Sequence, residues 1–151
     1  MNLSEHFTLE EATYSETAIR QHIDNNPDEH QLQNMKTAAE HLEKVRELVG
    51  PIHVNSWIRL PAVNMAVGGA AKSSHMDGWA IDCSSKSLSP IEMCKKVQEA
   101  GIKFDQMIHE YGRWTHISFA PEMRQQKMTI MKPNNKYVQG ILSAEEYASK
   151  V

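Results

Sequence analysis

Hydrophobic residues recur every three or four positions in the clearest helix pattern of the chain. The apolar positions of this pattern are Leu32, Met35, Ala39, Leu42, Val45 and Val49. Gly50 and Pro51 follow directly and predict the end of the helix. A second helix is predicted to follow Ser89, which forms a capping-box pattern with Glu92, and Gly101 is predicted to end it.

Alternating apolar and polar residues predict four strands. These strands lie at residues 52–57, 79–83, 104–109 and 114–119. The last two form a hairpin around Tyr111 and Gly112. From Pro121 onward the pattern is mixed, with a weak helical signal at residues 143–146. The order of elements predicts an α+β fold, in which helices pack on one face of a small antiparallel sheet.

Composition limits the classes of function. The chain has 151 residues, which suits one domain, and a net charge of −3, which argues against a nucleic-acid partner. No apolar run is long enough to span a membrane, and two cysteines cannot build a disulfide framework. Residues 1–6 lack the basic start and apolar core of a secretion signal, so no signal peptide is expected.

Histidine and aspartate side chains in separate segments suggest a metal site. A catalytic zinc ion takes three protein ligands and keeps one position open, and it accepts imidazole nitrogen and carboxylate oxygen. His75, Asp82 and His116 could supply such a set. Strand alternation turns His116 toward an open cleft, because the opposite side of its strand is mostly apolar. The spacing alone leaves open that each of the three is an ordinary surface or core residue.

A longer pattern resembles a known family. From Ser73 to Asp82 the sequence reads Ser-x-His-x-x-Gly-x-Ala-x-Asp, which matches the metal motif of the D-alanyl-D-alanine carboxypeptidase family of zinc peptidases. Trp114-Thr115-His116 resembles the second metal segment of that family, and residues 56–69 resemble its Ser-Gly-Tyr-Arg-Ser-x-x-Leu-Asn-x-x-Val-Gly-Gly stretch. The resemblance covers roughly residues 5 to 120 and implies a hedgehog/DD-peptidase-like fold.

The resemblance implies roles for individual residues. His75, Asp82 and His116 would bind Zn²⁺. Arg59 would hold a substrate carboxylate or polarise the scissile carbonyl, because guanidinium is a fixed bidentate donor. Ser73 would orient the site or bind substrate. The implied reaction is metal-assisted amide hydrolysis on peptidoglycan stem peptides, either as a D-Ala-D-Ala carboxypeptidase or as an L-Ala-D-Glu endopeptidase.

Three residues of the sequence are candidates for the general base. The family typically has a carboxylate three residues before the last histidine ligand, and Arg113 occupies that position here. Glu110 is the candidate, with Asp105 and His109 as alternatives.

The length of the hairpin loop decides whether Glu110 can serve. A two-residue loop, 111–112, places Met107 opposite His116 and turns Glu110 to the wrong face. A three-residue loop, 111–113, places Ile108 opposite His116 and turns Glu110 into the cleft. The base hypothesis therefore predicts an odd-length loop or a bulge.

The predicted protein is one zinc peptidase domain over residues 1–151, with a core at about 5–120 and a C-terminal tail at 121–151. We expect a monomer that acts on a peptidoglycan peptide, with no nucleic-acid or membrane partner. The expected absence of an export signal favours a phage or prophage lytic enzyme, located in the host cytoplasm before release to the cell wall, or a virion-associated one. The alternative is a non-catalytic, zinc-containing virion or wall-binding module, which needs no carboxylate such as Glu110 near the metal.

Overall fold

Six strands form the sheet in the structure, a computed structural model that describes residues 1–151. They are β1 (Ile52–Ser56), β2 (Ala80–Ser85), β3 (Gln106–Glu110), β4 (Trp114–Ser118), β5 (Gln126–Ile130) and β6 (Val138–Gln139). Their order across the sheet is β1-β2-β4-β3-β5-β6. All neighbouring strands are antiparallel except β3 and β5, which are parallel. The four predicted strands are confirmed with small shifts at their ends.

Six helices accompany the sheet. They are α1 (Leu9–Thr13), α2 (Glu16–Gln21), α3 (Glu29–Val49), α4 (Pro61–Ala66), α5 (Pro90–Glu99) and α6 (Ala144–Ala148). Capping boxes at Thr8, Asp28, Ser89 and Ser143 start α1, α3, α5 and α6. Both predicted long helices are therefore confirmed. None of the helices combines the length and apolarity that a membrane crossing requires.

The hydrophobic core lies between the long helices and one face of the sheet. Met35 and Leu42 of α3 and Ile81 and Ile117 of the sheet belong to one buried cluster. On β4 the hydroxyl of Thr115, on the same face as Ile117, lies 3.4 Å from the main-chain oxygen of Pro90 at the start of α5. The apolar side of β4 is thus covered by helix, as the alternation predicts. The α+β class, with a mostly antiparallel sheet, is confirmed.

The segment after residue 120 contributes to the sheet. The mixed pattern there predicted only a weak helix, which is confirmed as α6, whereas β5 and β6 were missed. The hydroxyl of Tyr147 on α6 donates to the main-chain oxygen of Lys136 at 2.7 Å. The hydroxyl of Thr129 on β5 donates to the oxygen of Gly140 at 2.8 Å. These contacts join α6, residues 136–140 and β5 to one another, and β5 in turn pairs with β3.

Candidate active site

Sheet register brings two of the three predicted ligands together. In the β2–β4 pair Asp82 lies directly opposite His116, and His75 precedes β2 in the long loop after α4. One oxygen of Asp82, Oδ1, lies 2.9 Å from Nδ1 of His116 and 3.3 Å from Nε2 of His75. The potential ligand atoms of the three residues all lie within 4.8 Å of one another. This group could therefore hold one metal ion.

The loop that contains His75 is fixed by side chains from the core. The main-chain oxygens of residues 76, 77 and 78 each accept one side-chain hydrogen bond. The donors, in that order, are Gln31 at 3.0 Å, Asn34 at 2.9 Å and Trp57 at 2.9 Å. Two of these donors lie on α3, so the long helix positions the metal loop as well as covering the sheet.

Gly78 occupies a position that no other residue suits. Its φ is +87°, in the left-handed region, and a Cβ built there would lie 2.7 Å from Cγ of Met35 and 3.1 Å from the oxygen of Gln31. The glycine of the motif therefore lets the metal loop approach α3 closely. That approach brings the loop within reach of the three donors.

His75 is oriented as a metal ligand would be. Its Nδ1 lies 2.7 Å from the main-chain oxygen of Trp57, which can only accept, so Nδ1 bears the proton. Nε2 is buried, makes no hydrogen bond and faces Asp82. Burial lowers the pKa of His75, which favours the neutral ring. An unprotonated, buried nitrogen beside a carboxylate fits a bound cation.

Asp82 and His116, the other two residues of the group, each favour the charged form of the other. Burial alone would raise the pKa of Asp82, but the charges and hydrogen bonds of His75 and His116 hold it well below its usual range. Burial alone would lower the pKa of His116, yet the hydrogen bond to Asp82 and the charge of Asp82 raise it. One carboxylate and two imidazoles form a donor set typical of catalytic zinc. The residues therefore fit the Zn²⁺ that the sequence predicts.

The hairpin has the three-residue loop that the base hypothesis requires. Ile108 pairs with His116, and Glu110 pairs with Trp114, so residues 111–113 form the loop. Tyr111 and Gly112 both have positive φ, at 58° and 66°. Glu110 accordingly lines the same cavity as His116.

The environment of Glu110 suits a proton carrier. Nε1 of Trp114 donates to its Oε1 at 3.2 Å. Burial, assisted by the negative charge of Asp82, raises the pKa of Glu110 to about 7. A carboxyl with such a pKa exchanges protons near neutral pH, as a general base must.

The two alternative bases are committed elsewhere. Asp105 receives three hydrogen bonds from Arg124, from the main-chain N–H at 3.1 Å, from Nε at 2.9 Å and from Nη2 at 2.8 Å. His109 lies next to Glu110 in β3 and so points to the opposite face, where its Nδ1 lies 3.0 Å from the main-chain oxygen of Leu142. Neither residue lines the cavity around Asp82.

A cleft of about 620 Å³ unites the residues predicted to act together. It is lined by Arg59, Ser73, His75, Asp82, Glu110 and His116. Burial lowers the pKa of Arg59, although the charges of Asp82 and Glu110 act in the opposite direction, and its Nε has no hydrogen-bond partner. The hydroxyl of Ser73 accepts a hydrogen bond from the main-chain N–H of His75 at 3.2 Å.

The sequence pattern did not indicate several other residues of the cleft. They include Lys72, Gln106, Arg124, Met128 and Tyr137. Gln106 lies two residues before Ile108 on the same strand face, so strand alternation could have found it. The last three belong to the segment after residue 120, whose strands the pattern did not indicate.

Comparison with known proteins gives a match to one family. A family model described as Peptidase M15 matches residues 5–118. No curated protein matches the chain. The matched region contains every residue of the candidate metal group and Glu110, and it ends with β4.

Proposed function

Because the chain belongs to the peptidase M15 family of zinc peptidases, we propose that it hydrolyses peptide bonds in peptidoglycan stem peptides. The observation that supports this most strongly is the shared cleft of Glu110 and the His75, Asp82 and His116 group. A metal-binding group serves many purposes, but a half-buried carboxyl that lines the same cleft as this group favours hydrolysis.

His75, Asp82 and His116 would hold the zinc ion, each imidazole through one ring nitrogen and Asp82 through its carboxylate. The carboxylate would neutralise part of the charge of the ion. When bound, zinc polarises a carbonyl and lowers the pKa of water toward about 7. The main-chain oxygen of Trp57 and the loop contacts of residues 76–78 keep His75 in place during the reaction.

Glu110 transfers a proton from the attacking water to the leaving amine. Trp114 donates to Oε1 of its carboxylate, and the carboxylate keeps lone pairs that can accept a proton from the attacking water. As the water oxygen bonds to the carbonyl carbon and the C–N bond breaks, Glu110 delivers that proton to the leaving amine. The carboxylate is then ready for another cycle.

Positive side chains of the cleft recognise the substrate. Arg59 has a buried, unpartnered Nε, and a substrate carboxylate satisfies it with a charge-assisted hydrogen bond. Lys72 lines the same cleft and adds positive charge. Stem peptides present carboxylates near the scissile bond in both the carboxypeptidase and the endopeptidase reactions. Ser73 supports the main chain of His75 and leaves its hydroxyl proton for a substrate oxygen.

The phage or prophage setting, and action as a monomer, stay predictions from the sequence resemblance. A non-catalytic zinc module is the competing hypothesis. The position of Glu110 favours the enzyme, because a binding module has no use for a proton carrier beside the metal.

Mass spectrometry of digested peptidoglycan tests the proposal. Zinc-loaded protein is incubated with purified muropeptides, beside a Glu110→Gln variant loaded with the same amount of zinc. Release of D-alanine identifies a carboxypeptidase, and a new D-glutamate amino terminus identifies an endopeptidase. Intact muropeptides after incubation with the zinc-loaded wild type would overturn the proposed activity and favour the binding module.

A further inference from the structure

The two imidazoles of the candidate metal group are held on their far sides by different acceptors. Nδ1 of His75 lies 2.7 Å from the main-chain oxygen of Trp57. Nε2 of His116 lies 3.1 Å from Oε1 of Gln106. A ring nitrogen that binds a metal has a free lone pair, so the other nitrogen bears the proton and donates it. Nδ1 of His116 also lies 2.9 Å from Oδ1 of Asp82, and a metal would replace the proton there. Each far-side acceptor would then hold the one proton that remains on its ring.

Gln106, which accepts from His116, must itself be held in one orientation. A main-chain oxygen is fixed, whereas a glutamine amide can present either its oxygen or its NH₂ group to a neighbour. Nε2 of Gln106 donates to Oε1 of Gln126 at 2.7 Å. This bond turns the oxygen of Gln106 toward His116. In the reversed amide, two donors would face each other at His116.

Strand β5 brings Gln126 to this place. In the parallel β3–β5 pair Gln126 lies directly opposite Gln106, and its main-chain N–H donates to the oxygen of Asp105 at 3.0 Å. Arg124, two residues earlier, forms its bidentate pair with the same Asp105. The match to the family model ends at residue 118, so β5 lies outside it.

We propose that Gln106 is a positioning residue that fixes His116 with its proton on Nε2, and that Gln126 orients Gln106 for this task. The inference rests on the proposed zinc site and adds to it a contribution from the segment after residue 118. Gln106 contacts the ring of His116, and Gln126 contacts Gln106. Both act through the ring of His116, in a chain that runs from β5 to β3 to β4.

Zinc affinity, measured on the full chain by competition with a chromogenic chelator, tests this chain of contacts. Gln106→Leu removes the acceptor and is expected to weaken zinc binding about 10- to 100-fold. Gln106→Glu keeps an acceptor oxygen and is expected to bind zinc at least as tightly as the wild type. Gln126→Leu is expected to cause a smaller loss, because the amide of Gln106 then lacks a fixed orientation. The exposed Gln139 on β6 provides the matched control, and Gln139→Leu is expected to leave affinity unchanged.

A double variant tests whether Gln126 affects zinc binding through Gln106 or independently of it. If Gln126 acts only through Gln106, then Gln106→Leu with Gln126→Leu binds zinc no more weakly than Gln106→Leu alone. A tenfold further loss in the double variant would contradict that order.

The ring of His116 gives a direct readout in zinc-loaded protein by nitrogen NMR. The wild type is expected to show a protected proton on Nε2, which exchanges faster in Gln106→Leu. A purely structural role of Gln106 would lower the melting temperature without changing this ring signal. Equal zinc affinity and an equal ring signal in the wild type and Gln106→Leu would overturn the inference while the zinc site stands. A wild-type chain that binds no zinc would overturn both.

Discussion

Glu110 lies directly opposite Trp114 in the β3–β4 hairpin, and the indole N–H of Trp114 donates to one oxygen of the Glu110 carboxylate at 3.2 Å. The three-residue loop between the strands creates this pairing. A loop one residue shorter would turn Glu110 away from the cleft, because successive strand residues point to opposite faces. The position of Glu110 thus depends on the local geometry of Tyr111 and Gly112, both of which have positive φ.

Replacement of Glu110, the proposed proton carrier, is expected to separate zinc binding from turnover. Glu110→Gln keeps the shape of the side chain and removes the base, so turnover is expected to fall about 10²- to 10⁴-fold with zinc content unchanged. Peptide hydrolysis and bound zinc are measured on the same sample. Glu122→Gln, at an exposed acidic residue, is the control and is expected to be fully active. Undiminished hydrolysis by Glu110→Gln would assign the proton transfer to another group.

The pH dependence of stability reports the burial of Glu110 in metal-free protein. Its pKa is about 7 in the folded chain, against about 4.5 for the free side chain. The folded state therefore retains this proton over a pH range in which the unfolded state has lost it. Stability linked to Glu110 is fully present below pH 4.5 and is lost as the pH rises through 7.

Urea unfolding of the wild type and Glu110→Gln, with a chelator present, measures that linkage. Relative to the variant, the wild type is expected to lose up to about 3 kcal/mol of unfolding free energy between pH 4.5 and pH 8. A difference between the two proteins that stays constant with pH would mean that Glu110 titrates like an exposed carboxyl.

Zinc is expected to stabilise the protein through the three proposed ligands. At a zinc concentration of about 100 times Kd, binding adds about 2.7 kcal/mol, which corresponds to a rise in Tm of roughly 5–10 °C for a domain of this size. In His75→Ala and Asp82→Ala this rise is expected to vanish. The exposed His53 on β1 provides the control, since His53→Ala is expected to keep the full rise. A zinc-dependent rise that survives in both ligand variants would place the ion elsewhere.

Gly78→Ala tests the close contact between the metal loop and α3. The new methyl group would meet Met35 at 2.7 Å in addition to the strain of a φ of +87°. We expect a loss of about 2–4 kcal/mol in unfolding free energy, together with weaker zinc binding. Gly101→Ala is the control, because Gly101 has a φ of +71° but open space around its Cβ position. It is expected to lose only about 1 kcal/mol, from backbone strain alone. Equal losses in the two variants would show that the contact with Met35 is unimportant.

Local patterns predicted the parts of the fold that depend on local physics. The spacing of Leu32, Met35 and Leu42 determines which side of α3 is buried. The alternation in Trp114-Thr115-His116 determines which residues face the cleft. The capping boxes at Ser89 and Ser143 start helices through contacts three residues apart. Each of these signals lies within a few residues of the structure that it specifies.

The missed parts depend on partners far away in the chain. β5 contains Gln126, Lys127 and Met128, without a clear alternation, and becomes a strand because β3 offers a parallel edge. β6 has only two residues and pairs with β5. The loop length of the hairpin stayed open for a different reason, since the same local residues allow a loop of two or three. Sequence spacing therefore named the candidate ligands but could not determine that Gln126 and Tyr137 complete their surroundings.

Anomalous diffraction at the zinc absorption edge shows directly whether His75, Asp82 and His116 bind one zinc ion. Crystals of the protein grown with one equivalent of zinc are predicted to show a single strong peak. The peak is predicted to lie about 2.0–2.2 Å from Nε2 of His75, a carboxylate oxygen of Asp82 and Nδ1 of His116. A peak bound by other side chains, or no peak between these three residues at full zinc occupancy, would show that they are not the zinc ligands.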